Sequence, residues 1–373
     1  MADEIKASIG LGNLKRALKV TAAAHNKATL IPILQGVRIE QRKNGLSFEA
    51  TDLDLFIRVV LPEMAGPALP IILPADRFAA WAKLLDGDDL TINATTARAT
   101  IKSGRAKAIL PVLPASNWPA TSIYDLKTNG LTLTQGALAR ALTFAQIAVS
   151  AEESRYTLEA IELFGDGFVL NVVATDGHRL LCYTVESDET INLLLPARLV
   201  KGLLPLLTDE DGGVDLAFSD KQVLASLDAD SKIYVGAPRP TGSFPAWQSI
   251  MPTDPRTRLT VKVADLALSL DRCALLSDEN SRFVDLTFAG GELLLHAADA
   301  QNGEADETVS IEGALSHEFK TRICADFLKD LLRKLTGELT IALPEQSTQP
   351  LLFTALPHEG ETVTYLVMPM RLD

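Results

Sequence analysis

A chain of 373 residues is too long for one ordinary hydrophobic core, so two or three domains of roughly 100–200 residues each are expected. With 47% hydrophobic and 22% charged residues it is a folded globular protein rather than a disordered one, and no apolar run is long enough to span a membrane. A net charge of −13 excludes a nucleic-acid binder unless the positive charge is gathered in one place.

In chain order, Met1-Ala2-Asp3-Glu4 lacks the basic and apolar regions of a secretory signal, which suits a cytoplasmic protein. The first predicted helix covers residues 11–25, with Leu14 and Leu18 on one face. Asn44-Gly45 marks a hairpin turn, and Ala50-Thr51-Asp52 follows an alternating stretch. Ile72-Leu73-Pro74-Ala75 opens a second helix, 74–85, where the missing N–H of Pro74 costs nothing. Leu90 to Ala94 alternates as a strand, and Asn117-Trp118-Pro119 reads as a loop anchor before a boundary near 121–130.

The same plan then returns twice. Helices are predicted over 135–150 and 196–207, the latter with Leu199, Leu203, Leu206 and Leu207 at helical spacing. Ala174-Thr175-Asp176 and Leu194-Leu195-Pro196-Ala197 repeat the earlier landmarks. Phe244-Pro245-Ala246-Trp247 reads as a second loop anchor, and Pro252 to Pro255 as a linker. The final third has helices over 262–276 and 324–335, a Gly290-Gly291 turn, and the landmarks Ala297-Ala298-Asp299 and Arg322-Ile323-Cys324-Ala325. Three registers with similar spacing predict three α+β domains of similar plan, at 1–125, 126–254 and 255–373, each holding two similar halves.

The six helices carry thirteen Lys and Arg against five acids, which leaves the remainder of the chain strongly acidic. A layer of such helices facing a common centre attracts duplex phosphate there without reading bases, although solvent-facing Lys and Arg alone give the same count. Asp176 and His178, in Thr175-Asp176-Gly177-His178-Arg179-Leu180, have the residue types of an acid–base pair. No nucleophile, metal cluster or phosphate loop accompanies them, so a structural turn at Gly177 is the better reading. Cys182, Cys273 and Cys324 form a scattered trio that fits neither a disulfide scaffold nor a zinc site and suits a reducing compartment. The last segment, Val363 to Leu372, reads as a strand ending in a Met-Pro-Met tail, and methionine suits an adaptable surface.

Together, Ala174 to Leu180, Phe244-Pro245, Val367 to Leu372, Leu30-Ile31-Pro32-Ile33-Leu34 and Thr51-Asp52-Leu53-Asp54 resemble the bacterial DNA polymerase III beta subunits, over the whole chain and in order. The resemblance implies a non-enzymatic DNA clamp with no cofactor and no metal. Three domains, each with two helices packed on antiparallel sheets, make one subunit, and two subunits make a closed homodimer ring. The ring encircles double-stranded DNA without sequence preference. It tethers the DNA polymerase III catalytic subunit, the clamp loader and other clamp-binding-motif proteins as a processivity factor in replication, with no membrane role.

The resemblance also implies a partner-peptide pocket of Leu158, Thr175, Gly177, His178, Arg179, Leu180, Pro245, Ile250, Phe327, Leu366, Val367, Met368, Pro369, Met370, Arg371 and Leu372. DNA-facing residues are implied at Lys15, Arg16, Lys19, Arg140, Tyr156, Arg198, Lys201, Lys329 and Arg333. The dimer joint is implied at Phe78, Trp81 and Leu85 from one subunit and Leu275 and Leu276 from the other. Ser249 stands where the family often has an arginine, Cys324 where a polar residue is common, and Ser281 replaces an aromatic. An enzyme, or a clamp-like scaffold that does not act in replication, are the alternative readings.

Overall fold

The structure, a computed structural model, describes residues 5–25, 29–62, 64, 66, 70–127, 131–150, 157–208, 212–228, 232–252, 257–279 and 281–370. The first third runs β1 (Ile5–Gly10), α1 (Leu11–Thr21), β2 (Gly36–Arg42), β3 (Gly45–Thr51), β4 (Phe56–Leu61) and β5 (Ile71–Pro74). It continues through α2 (Ala75–Lys83), β6 (Asp89–Ala94), β7 (Arg98–Ser103) and β8 (Ala106–Pro111). The middle third repeats the order as β9 (Leu131–Thr134), α3 (Gln135–Ala145), β10 (Ala160–Asp166), β11 (Val169–Thr175), β12 (Arg179–Glu186) and β13 (Thr190–Pro196). Then come α4 (Ala197–Leu203), β14 (Gly213–Phe218), β15 (Gln222–Asp228) and β16 (Lys232–Pro238). The last third has β17 (Thr257–Lys262), α5 (Val263–Leu276), β18 (Phe283–Ala289), β19 (Glu292–Asp299), β20 (Gly303–Ser310) and β21 (Phe319–Cys324). It closes with α6 (Ala325–Leu332), β22 (Glu338–Leu343), β23 (Leu351–His358) and β24 (Glu361–Val367).

All six predicted helices are present, and the differences lie at their ends. α1 gives way after Thr21 to a 3-10 turn, because the Thr21 hydroxyl donates back to the Ala17 carbonyl at 2.9 Å and competes with the helix ladder. α4 tightens into 3-10 geometry at Leu204–Leu206, where Pro205 has no N–H to continue the α pattern. The Asp landmark of each third does the same work three times. Asp52 Oδ1 accepts the N–H groups of Asp54 and Leu55, Asp176 Oδ1 those of His178 and Arg179, and Asp299 Oδ1 those of Gln301 and Asn302. Each carboxylate closes the turn between two antiparallel strands.

Contacts divide the chain into two units, 1–139 with 198–239, and 140–197 with 240–373. The first holds a four-stranded sheet, β1-β6-β7-β8, and an eight-stranded one, β5-β2-β3-β4-β16-β15-β14-β9. Its core includes Leu14, Ile39, Phe48, Leu55, Ile57 and Phe78, all fully buried. The second unit mirrors this with β20-β19-β18-β21 and β13-β10-β11-β12-β24-β23-β22-β17, over a core that includes Tyr183, Phe288, Phe353 and Tyr365. Each such side chain contributes about 1.5–3 kcal/mol by leaving water. Both eight-stranded sheets join two repeats by one antiparallel pair: β4 with β16, and β12 with β24. By position in the repeat, β20 and β8 are the matching strands, and each is the last strand of its four-stranded sheet.

Candidate functional site

The predicted pocket begins at the turn between β11 and β12. Gly177 adopts φ +92°, a region that side chains with a Cβ avoid, which lets the chain reverse within three residues. The Asp176 carboxylate is used up there: Oδ1 holds the two backbone N–H groups and Oδ2 accepts Arg179 Nε at 2.9 Å. An acid–base role for Asp176 with the exposed His178 therefore has no support. Arg179 Nη1 also donates to Asp330 on α6 at 2.8 Å, and the guanidinium lies 4.5 Å over the Phe327 ring. Burial disfavours its charge, but Tyr365, Asp330 and Asp176 outweigh this and raise its pKa. His178 stacks on the same ring, with centroids 6.5 Å apart and planes 21° apart.

The floor follows from strand pairing. β12 runs antiparallel to β24, with Leu180 opposite Leu366 and Arg179 opposite Val367. Leu180 and Leu366 join Val173, Cys182, Trp247, Ala342 and Leu352 in one buried apolar cluster, edged by Phe164, Phe244 and Met251. Trp247 Nε1 donates to Glu162 Oε2 at 2.8 Å inside it, and burial raises the Glu162 pKa although the indole N–H opposes this. Burial also pushes the Cys182 thiol up to about 11, so it packs as a small apolar group.

Above the floor, Ile250, Met368 and Met370 are 52%, 44% and 38% exposed, and Pro245 is exposed beside them in sequence to the Trp247 anchor. The tail is held by its backbone: Met368 N–H donates to the His178 carbonyl and Met370 N–H to that of Arg322. Hence Gly177, His178, Arg179, Leu180, Leu366 and Met368 meet around one strand end, with Phe327 under the turn. Four of the expected pocket residues have structural roles here. Val367 is fully buried and Thr175 nearly so, the Thr175 hydroxyl donating to the Arg179 carbonyl, so both shape the wall without offering surface. Arg179 is paired with two carboxylates and holds the turn against α6. Leu158 is half-buried and contributes its carbonyl to Ser150 N–H. Arg371 and Leu372 lie outside the described residues.

A cleft of about 850 Å³ continues from Ile250 past Met251, Leu352 and Pro350. The sequence reading missed Leu352, Ala342 and Met251. Alternation along β23 marks Leu352 as a sheet residue, but only the β23–β24 pairing puts it beside Leu366.

The proposed DNA-facing residues separate into two kinds. Lys19 and Lys201 project from α1 and α4 and are exposed, and Arg16 is half-buried on α1. Lys15, Arg140, Arg198, Lys329 and Arg333 each have a partner within the protein. Lys15 Nζ donates to the Leu85 carbonyl at 2.9 Å, Arg198 pairs with Asp52, Lys329 with Asp271 at 2.8 Å, and Arg333 with Asp330 at 3.5 Å. Arg140 makes a bidentate pair with Glu361, which also accepts the Tyr183 hydroxyl. Arg140 is therefore not the free phosphate contact the sequence suggested. Tyr156 lies outside the described residues.

At the expected joint, α2 buries Ala75, Phe78 and Ala82. Phe78 is fully buried and Leu85 is 6% exposed, so these two belong to the core of the first unit, while Trp81 is half-buried at its edge. The large apolar side chain that stands exposed beside this helix is Leu84, at 81%. On α5, Leu275 is 76% exposed and Leu276 half-buried.

The comparisons agree along the whole chain. Family models described as the DNA polymerase III beta subunit N-terminal, central and C-terminal domains match residues 6–122, 132–233 and 248–371. A beta sliding clamp of Pseudomonas aeruginosa is 27% identical, over 96% of this chain and 98% of that one. One of Caulobacter vibrioides is 28% identical, over 99% and 100%. The crystal structure of the P. aeruginosa DNA polymerase III subunit beta superposes with a TM-score of 0.89 at 26% identity, covering 98% of this chain and 100% of that one. The C. crescentus beta sliding clamp gives 0.88 at 26% identity with full coverage of both chains. With three family models in tandem spanning nearly all of its length, the chain belongs to the DNA polymerase III beta subunit family, the bacterial beta sliding clamps.

Proposed function

We propose that two copies of this chain close head to tail into a ring around duplex DNA and hold the replicative polymerase to its template. The clamp function in DNA replication, non-enzymatic, comes with the family. The ring and its fine contacts are our reading, as are domain boundaries near residues 125 and 254. One observation carries it: β4 pairs with β16 and β12 with β24, and the equivalent strands β20 and β8 are both sheet edges. A second copy supplies the missing partner for each. The edges are complementary in charge, with Glu304, Asp306 and Glu307 on β20 and Lys107 on β8 after Arg105. Pairing in trans at both ends gives two identical joints and a closed C2 assembly.

Such a ring holds DNA by enclosure, so the acidic net charge is no obstacle. Lys19 and Lys201 supply weak, sequence-independent contact. The buried floor with exposed Pro245, Ile250 and Met368 suits one or two anchoring side chains of an extended peptide from the polymerase III catalytic subunit, the clamp loader or other clamp-binding-motif proteins. No helix among the described residues is long and apolar enough to cross a membrane, and we place the ring with the chromosome in the cytoplasm. The test is retention after loading on nicked circular DNA against the same DNA linearised. Loss from the linear form only is expected, and equal retention would overturn enclosure.

A further inference from the structure

The pocket occupies one end of the β12–β24 pair, and the other end is also shaped like a binding surface. There β12 finishes at Val185 and Glu186, β24 begins at Glu361, and Val169 pairs with Glu186. A second cleft, about 680 Å³, opens between them. Two large apolar side chains stand out of the surface at this end. Phe168 is 82% exposed at the tip of the β10–β11 turn, and Leu356 is 76% exposed on β23.

Each is displayed by a definite backbone device. Asp166 Oδ1 accepts the N–H groups of Phe168 and Val169 and fixes the turn. The Phe168 carbonyl accepts Ser187 N–H and the Glu189 carbonyl accepts Gly167 N–H, which ties that turn to the loop after β12. On β23, Leu351, Phe353 and Ala355 face the core and alternation puts Leu356 on the opposite face, just where the register against β24 slips by one residue between Ala355 and His358.

The surrounding charge has one sign. Residues 166–169, 184–189 and 356–362 contain Asp166, Glu186, Asp188, Glu189, Glu359 and Glu361, with no Lys or Arg. Glu361 is already paired with Arg140 and accepts the Tyr183 hydroxyl, so the field comes from the other acids around the rim. Exposed apolar groups inside an acidic rim match a segment of opposite charge that brings its own apolar anchor.

We propose that this end of the strand pair is a docking surface for a partner segment rich in Lys and Arg that carries a large apolar side chain. The proposal is independent of the peptide pocket and of ring closure. The probe is a fluorescein-labelled Lys/Arg peptide with two tryptophans, beside a control with serine at both tryptophan positions. Fluorescence anisotropy on the intact protein reads affinity, and a photo-crosslinker on the peptide reads location by mass spectrometry.

Wild type is expected to bind the tryptophan peptide and crosslink at 166–169 or 356–362. Phe168→Ser with Leu356→Ser, and separately Glu186→Lys with Glu359→Lys, should each weaken binding at least about tenfold, since apolar anchors and facing charges dominate such contacts. Reversing Asp86 and Asp89 to Lys, on exposed positions of the first unit, should leave it within about twofold by the same argument. Equal binding of the serine peptide, an equal effect of the Asp86/Asp89 reversal, crosslinks at the Met368 pocket, or no binding by wild type would each overturn the proposal.

Discussion

Arg140 shows how a residue can be legible in type and illegible in role. Its charge and helix position are plain from the sequence, but the carboxylate that binds it is Glu361, 221 residues away. Burial disfavours ionised Glu361, yet the hydrogen bonds from Arg140 and Tyr183 outweigh it and hold the carboxyl below its ordinary value. That stabilisation is present above the ordinary carboxylate pKa and is lost as pH falls through the lowered one. Glu361→Gln should therefore cost about 2 kcal/mol in urea unfolding at neutral pH, and less under acid. Glu162 has the opposite sign. Burial raises its pKa, so the protein gains from its protonated form at low pH and loses that contribution as pH rises through the raised value. Glu162→Gln should remove this loss, and it should flatten the pH dependence of Trp247 emission above the ordinary carboxylate range. An unchanged profile would show that Trp247 does not sense that carboxyl.

Elements were more legible than residues, because helical spacing recurs in all three thirds, as does the Asp landmark, Ala-Thr-Asp twice and Ala-Ala-Asp once. Helix faces near an interface were not. Phe78 and Trp81 lie on one predicted helix, and only packing shows that the first fills the core while Leu84, beyond the helix end, is exposed. The distinction can be measured. Phe78→Ala should lower stability by about 3–5 kcal/mol, as a buried aromatic does. Leu275→Asp, at a position already facing solvent, should leave stability within about 0.5 kcal/mol of wild type but give monomers by light scattering. A dimeric Leu275→Asp protein would move the joint elsewhere. The pocket divides in a similar way. Ending the chain after Val367 keeps every β24 pair but removes Met368 and Met370, so a polymerase-derived peptide should lose binding while the assembly stays dimeric.

For the whole molecule, composition pointed away from DNA, and the three-fold plan was the stronger signal. What composition could not convey is how much helix charge is cancelled locally, as in Arg198 with Asp52 and Lys329 with Asp271. Direct attraction for DNA should accordingly be weak. Changing Lys19 and Lys201 together to Glu should lower the slope of log affinity against log salt by about 2, one phosphate contact for each lysine. A slope that does not move would assign the contact to other cations.

The β12–β24 pair joins its two ends through a ladder from Arg179–Val367 to Val185–Glu361. At about 3.4 Å per residue this ladder is a stiff spacer of about 20 Å, fixed by main-chain hydrogen bonds. A flexible tether of on the order of ten to fifteen residues reaches across it. One chain carrying an extended clamp-binding peptide and a basic segment at that separation would engage both ends at once. Its second contact would then form at millimolar effective concentration, so two weak attachments would add up to a slow release.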